Sequence, residues 1–127
     1  ACHRNIDTAR FLAQGGATLF ARFSVMHGSV SGPVDDAQAR VLDALHERYN
    51  MNEHGRGDAQ QVSAMTPEFI DRFAIVGDPA RCLERLAELK ELGLDKLAVN
   101  GPTFVARSPE AQEALDLFEA EVLPKFA

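Results

Sequence analysis

Two short apolar runs lie on either side of a charged segment, the first within Arg72-Phe-Ala-Ile-Val-Gly-Asp-Pro79 and the second within Gly93-Leu-Asp-Lys-Leu-Ala-Val-Asn-Gly-Pro102. Both runs, residues 73–76 and 97–99, contain β-branched side chains and predict buried strands. Asp78 before Pro79 is typical of a helix start, because the carboxylate caps free amides and proline needs no amide donor there. Strand, helix and strand within about 30 residues form a βαβ unit, which builds parallel sheets.

Outside this unit the sequence predicts mainly helices, each with a polar cap. The predicted caps are Asn5 or Asp7, Asp35 or Asp36, Thr66 before Pro67, and Ser108 before Pro109. Gly15-Gly16 is expected to interrupt the first helix, and Pro124 to end the last. Residues 50–63 are polar and predict a surface excursion. We expect one partial domain over 1–127, with a helical segment and insertion over 1–65 and the last β/α units over 66–127.

Two short strands are too few for a free-standing parallel sheet, because such strands are normally covered on both faces in sheets of several strands. The simplest resolution is an α/β architecture in which these are the last units of a (β/α)₈ TIM barrel, usually about 250 residues long or more. The chain also begins Ala1-Cys2-His3-Arg4 without an initiator Met. We therefore expect the C-terminal part of a barrel, helix-rich and with two or three short parallel strands.

Composition excludes several classes of function. Of 127 residues, 46% are apolar and 25% charged, as in soluble globular proteins. The 19 acidic and 13 basic residues give a net charge of −6 without a basic block, which argues against a nucleic-acid partner. No apolar run approaches the ~20 residues that cross a membrane, and no signal peptide is recognised. Two cysteines without a CxxC motif favour a reducing, cytoplasmic setting.

Several residues are of types that bind metals, act in redox chemistry or bind anions, but their spacing in the sequence does not favour those roles. His46, Glu47, Glu53 and His54 suggest a metal site, but the zinc-protease spacing needs a second His where Asn50 stands, so no metal is predicted. Cys82 falls on an apolar helical stripe, where a free Cys is usually a small hydrophobe rather than a redox group. The amides after Gly77 could bind an anion, but the Asp78 carboxylate is favoured to occupy them as a cap.

Four residues are candidates for a binding site. His27, between Met26 and Gly28 at a helix-to-loop transition, either faces a pocket as a hydrogen-bond partner or is an exposed loop histidine. Asn100, Gly101 and Thr103 follow the second predicted strand, and barrel enzymes place their chemistry at that end of their strands. Gly101 would permit close approach of a ligand, and Asn100 offers a donor and an acceptor. If the barrel is correct, these three residues are expected to line a pocket.

Nearly the whole chain resembles a known family, most clearly over residues 66–102. Phe73-Ala-Ile-Val-Gly-Asp-Pro79, Cys82-Leu-Glu-Arg-Leu86 and Gly93-Leu-Asp-Lys-Leu97 resemble the C-terminal end of luciferase-like flavin and deazaflavin oxidoreductases. Ala21-Arg-Phe-Ser-Val-Met-His-Gly28 and Thr66-Pro-Glu-Phe-Ile-Asp-Arg-Phe73 resemble the subgroup related to methylene-tetrahydromethanopterin reductase.

The resemblance implies a (β/α)₈ barrel, a homodimer in the full-length protein, and a flavin-type ring at the C-terminal mouth, where Asn100, Gly101 and Thr103 would contact it. It implies hydride transfer between 8-hydroxy-5-deazaflavin (coenzyme F420), or FMN, and a small carbon substrate. The general acid/base residues and the cofactor-phosphate loops of the family would precede Ala1, so no catalytic residue is assigned and the isolated chain is expected to be inactive.

One substrate-binding residue carries over from the resemblance. Family members that oxidise glucose 6-phosphate hold the substrate phosphate with an Arg just before an aromatic-Ile-Val run, and Arg72 occupies that position here. A salt bridge from Arg72 to Glu68, Asp71 or Asp78 is the structural alternative. Two alternatives to the function also stay open: an FMN-dependent monooxygenase of the luciferase type, and a non-catalytic helical interaction module.

Overall fold

The structure is a computed structural model that describes residues 1–30, 32–94, 96–102 and 107–126. Those residues contain α1 (Ile6–Ala21), α2 (Asp36–Arg48), α3 (Pro67–Phe73), α4 (Pro79–Glu91), α5 (Pro109–Glu121) and α6 (Leu123–Phe126). Short 3₁₀ helices span Arg22–Val25, Met51–Glu53 and Gln60–Ala64. Within these ranges no helix combines the length and apolarity that a membrane crossing requires.

Five helices begin at the predicted caps. Each cap side chain accepts a hydrogen bond from an amide of the first helical turn, and the caps are Asn5, Asp35, Thr66, Asp78 and Ser108. Asp35 and Gln38 form a reciprocal capping box, in which the side chain of each residue accepts a hydrogen bond from the backbone amide of the other. Since such a cap stabilises a helix by about 1 kcal/mol, these local bonds fix where the helices start.

The predicted interruption of the first helix at Gly15-Gly16 is wrong, because α1 runs through both glycines. Gly15 is buried against the backbone of residues 55–57. A Cβ at Gly15 would stand 3.0 Å from the carbonyl oxygen of Gly55 and 3.0 Å from the amide nitrogen of Gly57. The glycine therefore permits close approach of a second segment instead of breaking the helix.

The two predicted strands, 73–76 and 97–99, are also wrong: neither segment is a strand in the structure. Phe73 is the last residue of α3, where its ring stacks on that of Phe69 at 5.4 Å. Residues four apart meet on one helix face, so this aromatic pair favours helix at the start of the apolar run. Residues 97–99 lack a hydrogen-bonded neighbour strand in the described ranges, and without a ladder an apolar run has no sheet to join.

One parallel bridge joins Cys2 to Gly77. The amide of His3 donates to the carbonyl oxygen of Gly77 at 2.8 Å, and the amide of Gly77 donates to the carbonyl oxygen of Ala1 at 3.3 Å. The residues just before α1 and just before α4 thus run side by side in the same direction, as in a parallel sheet. The helix-rich character is confirmed, and the barrel stays a prediction.

The core links both halves of the chain through α1. Ala9 packs with Ile70 and Val76, and Leu12 packs with Ala111 and Ala114, so α1 contacts both α3 and α5. Two larger clusters extend the core; one comprises Ala21, Val25, Val41, Leu42, Leu45, Ala64 and Phe69, and the other comprises Cys2, Cys82, Leu86 and Val122.

The predicted surface excursion over residues 50–63 is partly buried. Gln61 is only 1% exposed. Its amide group donates to the carbonyl oxygens of Asn50 and Glu53 and accepts from the amide of Asn50, each at 3.3 Å. Because a buried amide is costly unless it is hydrogen-bonded, this side chain holds the segment in its folded conformation.

Candidate functional site

A cavity of about 460 Å³ opens between α1, α4, α5 and residues 97–102. That volume lies within the ~300–1,000 Å³ of typical small-molecule sites. The helices present apolar side chains to it, among them Leu12, Ala17 and Phe20 of α1, Leu86 and Leu89 of α4, and Leu115 and Phe118 of α5. The amphipathic pattern of these helices therefore supplies a continuous apolar wall.

Aromatic rings and one carboxylate distinguish the cavity wall. Phe20 and Phe73 both line it and are 41% and 42% exposed, so their rings are available to a ligand. Glu119 is also on the wall, whereas the described wall residues include no lysine, arginine or histidine. The described walls are therefore suited to a flat apolar group and lack a side-chain cation that would bind a phosphate.

Two of the predicted cofactor residues, Asn100 and Gly101, lie on this wall, and Thr103 lies outside the described residues. The Asn100 side chain is exposed, so its amide is free to meet a ligand. A Cβ at Gly101 would stand 4.0 Å from Leu115 Cδ1, an ordinary contact. Among the described residues, therefore, no steric clash would prevent a methyl side chain at position 101.

Arg72, the predicted substrate residue, lies outside the cavity wall although its neighbour Phe73 is part of it. Its guanidinium Nη1 is 2.6 Å from Oδ2 of Asp35, and the two side chains are 62% and 50% exposed. The partner is thus Asp35, not the expected Glu68, Asp71 or Asp78. The pKa of Asp35 is lowered, first by the backbone amide of Gln38 and then by Arg72. Arg72 therefore connects α3 to the cap of α2.

His27 is exposed in the turn that follows the 3₁₀ helix Arg22–Val25, and it does not line the cavity. Of the predicted site residues, the sequence neighbours Asn100 and Gly101 line the cavity, and His27 and Arg72 do not. The four residues of the metal pattern do not converge either: His54 Nδ1 is hydrogen-bonded to the hydroxyl of Tyr49 at 2.6 Å. In the described ranges no group of three or more His, Cys, Asp or Glu side chains is placed to hold a metal ion.

Sequence reasoning missed the meeting of Cys2 and Cys82 on the cavity wall. The two residues belong to one buried apolar cluster. Burial, followed by the neighbouring Cys82, raises the pKa of Cys2 to about 12. Burial also raises the pKa of Cys82. The expectation that Cys82 packs as a small hydrophobe is confirmed, but no sequence pattern placed the second thiol beside it.

Comparison with known proteins gives relatives by sequence alone: no protein-family model matches the chain, and no solved structure matches it. A 5,10-methylenetetrahydromethanopterin reductase from Archaeoglobus fulgidus is 28% identical over 126 residues, which cover 95% of this chain and 36% of that protein. A second protein of the same name, from Methanopyrus kandleri, is 29% identical over 73 residues, which cover 57% of this chain and 20% of that protein.

The chain spans about a third of the length of the Archaeoglobus relative. The alignment nevertheless includes almost every residue of this chain. The chain is therefore similar in sequence to two proteins named 5,10-methylenetetrahydromethanopterin reductase.

Proposed function

We propose that this chain is the C-terminal portion of a luciferase-like oxidoreductase that transfers a hydride between a deazaflavin and a small carbon substrate. The observation that carries the proposal is the similarity to a reductase over 95% of the chain. The deazaflavin is proposed to be 8-hydroxy-5-deazaflavin (F420), with FMN as the alternative, and the full-length protein to be a homodimer.

The cavity supports this proposal through its shape and chemistry. Its volume of about 460 Å³ and its apolar walls suit the flat ring system of a deazaflavin. Phe20 and Phe73 offer ring faces on which such a system would stack, at offset centroid distances of about 4.5–7 Å. The fit is limited to the ring, because the described walls have no basic side chain for the cofactor phosphate. We propose that the phosphate is bound by residues that do not belong to these walls.

When bound, the deazaflavin supplies the hydride chemistry, and the protein supplies position and environment. The apolar side chains of α1, α4 and α5 would exclude water from one face of the ring, which strengthens the remaining polar contacts. Asn100 would hold the ring edge, since its amide both donates and accepts hydrogen bonds. Gly101 would leave the backbone open to the ligand. His27 and Arg72 stay proposals for substrate binding.

Replacement of Asn100 in the full-length protein tests the ring contact. We expect Asn100→Ala to raise the Kd for the deazaflavin roughly tenfold, the cost of one lost hydrogen bond of about 1.4 kcal/mol. The control is Asn52→Ala, which removes an exposed amide outside the cavity wall. Fluorescence titration gives both constants. An equal effect of the two substitutions would exclude Asn100 from the site.

The reaction class is tested by the absorbance of the cofactor in the full-length protein. We expect the deazaflavin spectrum to change with at least one small carbon substrate, and no oxygen to be consumed. Oxygen consumption with FMN would favour the luciferase-type monooxygenase instead. An unchanged spectrum across a broad substrate panel would contradict the oxidoreductase proposal.

The isolated 127-residue chain provides a separate test. Because its described cavity wall lacks basic side chains, we expect weak or undetectable binding of deazaflavin and FMN. Micromolar affinity in a fluorescence titration would show that the chain holds the cofactor without further residues. That result would contradict the proposal that residues outside these walls are needed to bind the cofactor phosphate.

A second candidate function is a non-catalytic helical interaction module. The observation that favours it is that the described residues form helices packed around buried apolar clusters, without a strand. This candidate predicts that the isolated chain is monomeric and unfolds cooperatively without cofactor. Circular dichroism with sedimentation tests it, and aggregation of the isolated chain would exclude it.

A further inference from the structure

Cys2 and Cys82 both contact the backbone of Gly77. Cys2 forms the parallel bridge with Gly77, and the Cys82 thiol donates to the Gly77 carbonyl oxygen at a sulfur-to-oxygen distance of 3.6 Å. Both cysteines belong to one apolar cluster, in which they are 2% and 1% exposed. Two elements far apart in sequence therefore place both cysteines next to Gly77 in one buried cluster.

The cavity gives these buried thiols an approach from solvent. Both cysteines line the 460 Å³ opening, although the rest of each residue is covered by Leu86, Val122 and their neighbours. Both cysteines are free thiols, and both lie next to Gly77 in the same buried cluster. An oxidant that enters the cavity would therefore reach a pair, rather than a single thiol.

We propose that Cys2 and Cys82 form a reversible intramolecular disulfide that locks the extended segment before α1 to the first turn of α4. The disulfide uses no cofactor and no substrate, although both cysteines line the cavity that we propose for the deazaflavin ring. Disulfides in reducing compartments are usually transient and redox-sensing, and two free cysteines in one buried cluster fit that use.

The reaction with a small-molecule disulfide, oxidised glutathione, balances in two steps. One cysteine loses its proton and attacks a glutathione sulfur, which breaks the glutathione disulfide and releases one molecule of reduced glutathione. The second cysteine then loses its proton and attacks the protein sulfur of the mixed disulfide, and the second glutathione leaves. The protein loses two hydrogens, and its two electrons reduce one oxidised glutathione to two thiols.

Proton loss sets the speed of this exchange. Because the thiolate is the attacking form and burial raises the pKa of both cysteines, few thiolates exist at neutral pH. The exchange should therefore be slow at pH 7 and accelerate by roughly tenfold per pH unit up to about pH 9. Slow exchange suits a response to lasting oxidation and not a catalytic turnover.

The test is an equilibration of the 127-residue chain in glutathione buffers of increasing oxidised fraction, followed by acid quenching and mass spectrometry. We expect a monomeric product that has lost two hydrogens, with the peptides of Cys2 and Cys82 linked. We also expect the equilibrium constant for the link to be at least about tenfold larger than in concentrated urea, because the fold raises the effective concentration of the two thiols.

The comparison with urea separates the effect of the fold on disulfide formation from the effect of having both cysteines in one chain. It requires no variant. An equilibrium constant in buffer equal to or below that in urea would overturn the proposal, and so would products that are only glutathione adducts or intermolecular dimers. Cys2→Ala and Cys82→Ala serve as controls, and neither should show the loss of two hydrogens. The linked chain should also unfold at a higher temperature than the reduced one.

Discussion

Arg10 of α1 and Asp71 of α3 form a two-pronged ion pair, in which Nε lies 2.9 Å from Oδ1 and Nη2 lies 2.6 Å from Oδ2. The side chains are 27% and 38% exposed, so the pair is half-buried. A second carboxylate, Asp7, lies 3.3 Å from Arg10 Nη1. Parallel contacts between a guanidinium and a carboxylate fix geometry better than a single contact does, and this pair orients α3 on α1.

Removal of this pair should lower thermal stability. We expect Asp71→Asn to reduce the melting temperature by a few degrees, because the arginine loses its charge partner in a partly covered site. Arg56 and Asp58 form a matched control pair that is 61% and 70% exposed and two residues apart, so Asp58→Asn should change the melting temperature less. Circular dichroism gives both values, and equal shifts would contradict the orienting role of Asp71.

Acid should destabilise the chain through carboxylates that hydrogen bonds hold ionised. The pKa of Asp71 is lowered, first by the side chain of Arg10, and the pKa of Asp58 is lowered, first by that of Arg56. The pKa of Asp35 is lowered by the amide of Gln38. A lowered folded-state pKa contributes stability that is present above the unfolded pKa of about 3.9 and is lost as pH falls through the folded value.

These carboxylates should therefore leave the urea midpoint of unfolding nearly unchanged above about pH 5. Below about pH 4 their protonation should lower that midpoint. In Asp71→Asn this acid-dependent loss should be smaller, because one of the shifted groups is gone. Urea titrations at several pH values between 3 and 7 measure the slope. A variant whose slope equals that of the wild type would show that Asp71 does not contribute to acid sensitivity.

Local signals predicted the helix starts well and the apolar runs poorly. Each cap side chain bonds to an amide two or three residues away, so neighbouring residues in the sequence suffice to predict it. The caps are Asn5, Asp35, Thr66, Asp78 and Ser108. An apolar run of four residues is different, because it fits a strand or a buried helix end equally well. Its outcome depends on a neighbour strand, which the described residues supply only as the bridge at Gly77.

The candidate site shows the same division between local and distant contacts. The sequence predicts that Asn100 and Gly101 line a pocket at the end of a barrel strand over residues 97–99. Both residues line the cavity, although that segment is not a strand in the structure. By contrast, Arg72 meets Asp35 across 37 residues, and Cys2 and Cys82 come into one cluster next to Gly77. Contacts of that range follow from how the helices pack, which composition and periodicity do not determine.

The cap of α4 should be a measurable part of its stability. Asp78 accepts a hydrogen bond from the amide of Arg81 at 2.9 Å. Asp78→Ala leaves that amide without its partner, and we expect a loss of about 1 kcal/mol in the free energy of unfolding. Asp43→Ala, an exposed aspartate within α2, is the control and should change stability by less than about 0.5 kcal/mol. Equal losses in urea unfolding would argue against the cap.

Gly15 and Gly16 are neighbours in α1 with opposite expected responses to alanine. A Cβ at Gly15 would meet backbone atoms of Gly55 and Gly57 at 3.0 Å, whereas a Cβ at Gly16 would meet nothing within 4 Å. We expect Gly15→Ala to lose about 1–3 kcal/mol, because the 55–57 backbone must move away from α1.

Gly16→Ala should instead gain up to about 1 kcal/mol, because alanine favours the helix over glycine and the site has room for the methyl group. Urea unfolding followed by circular dichroism compares the two variants. Equal gains would mean that the 55–57 segment does not press on α1. Equal losses would mean that the second glycine also stands in a close contact, and either result would contradict the distinction drawn between the two positions.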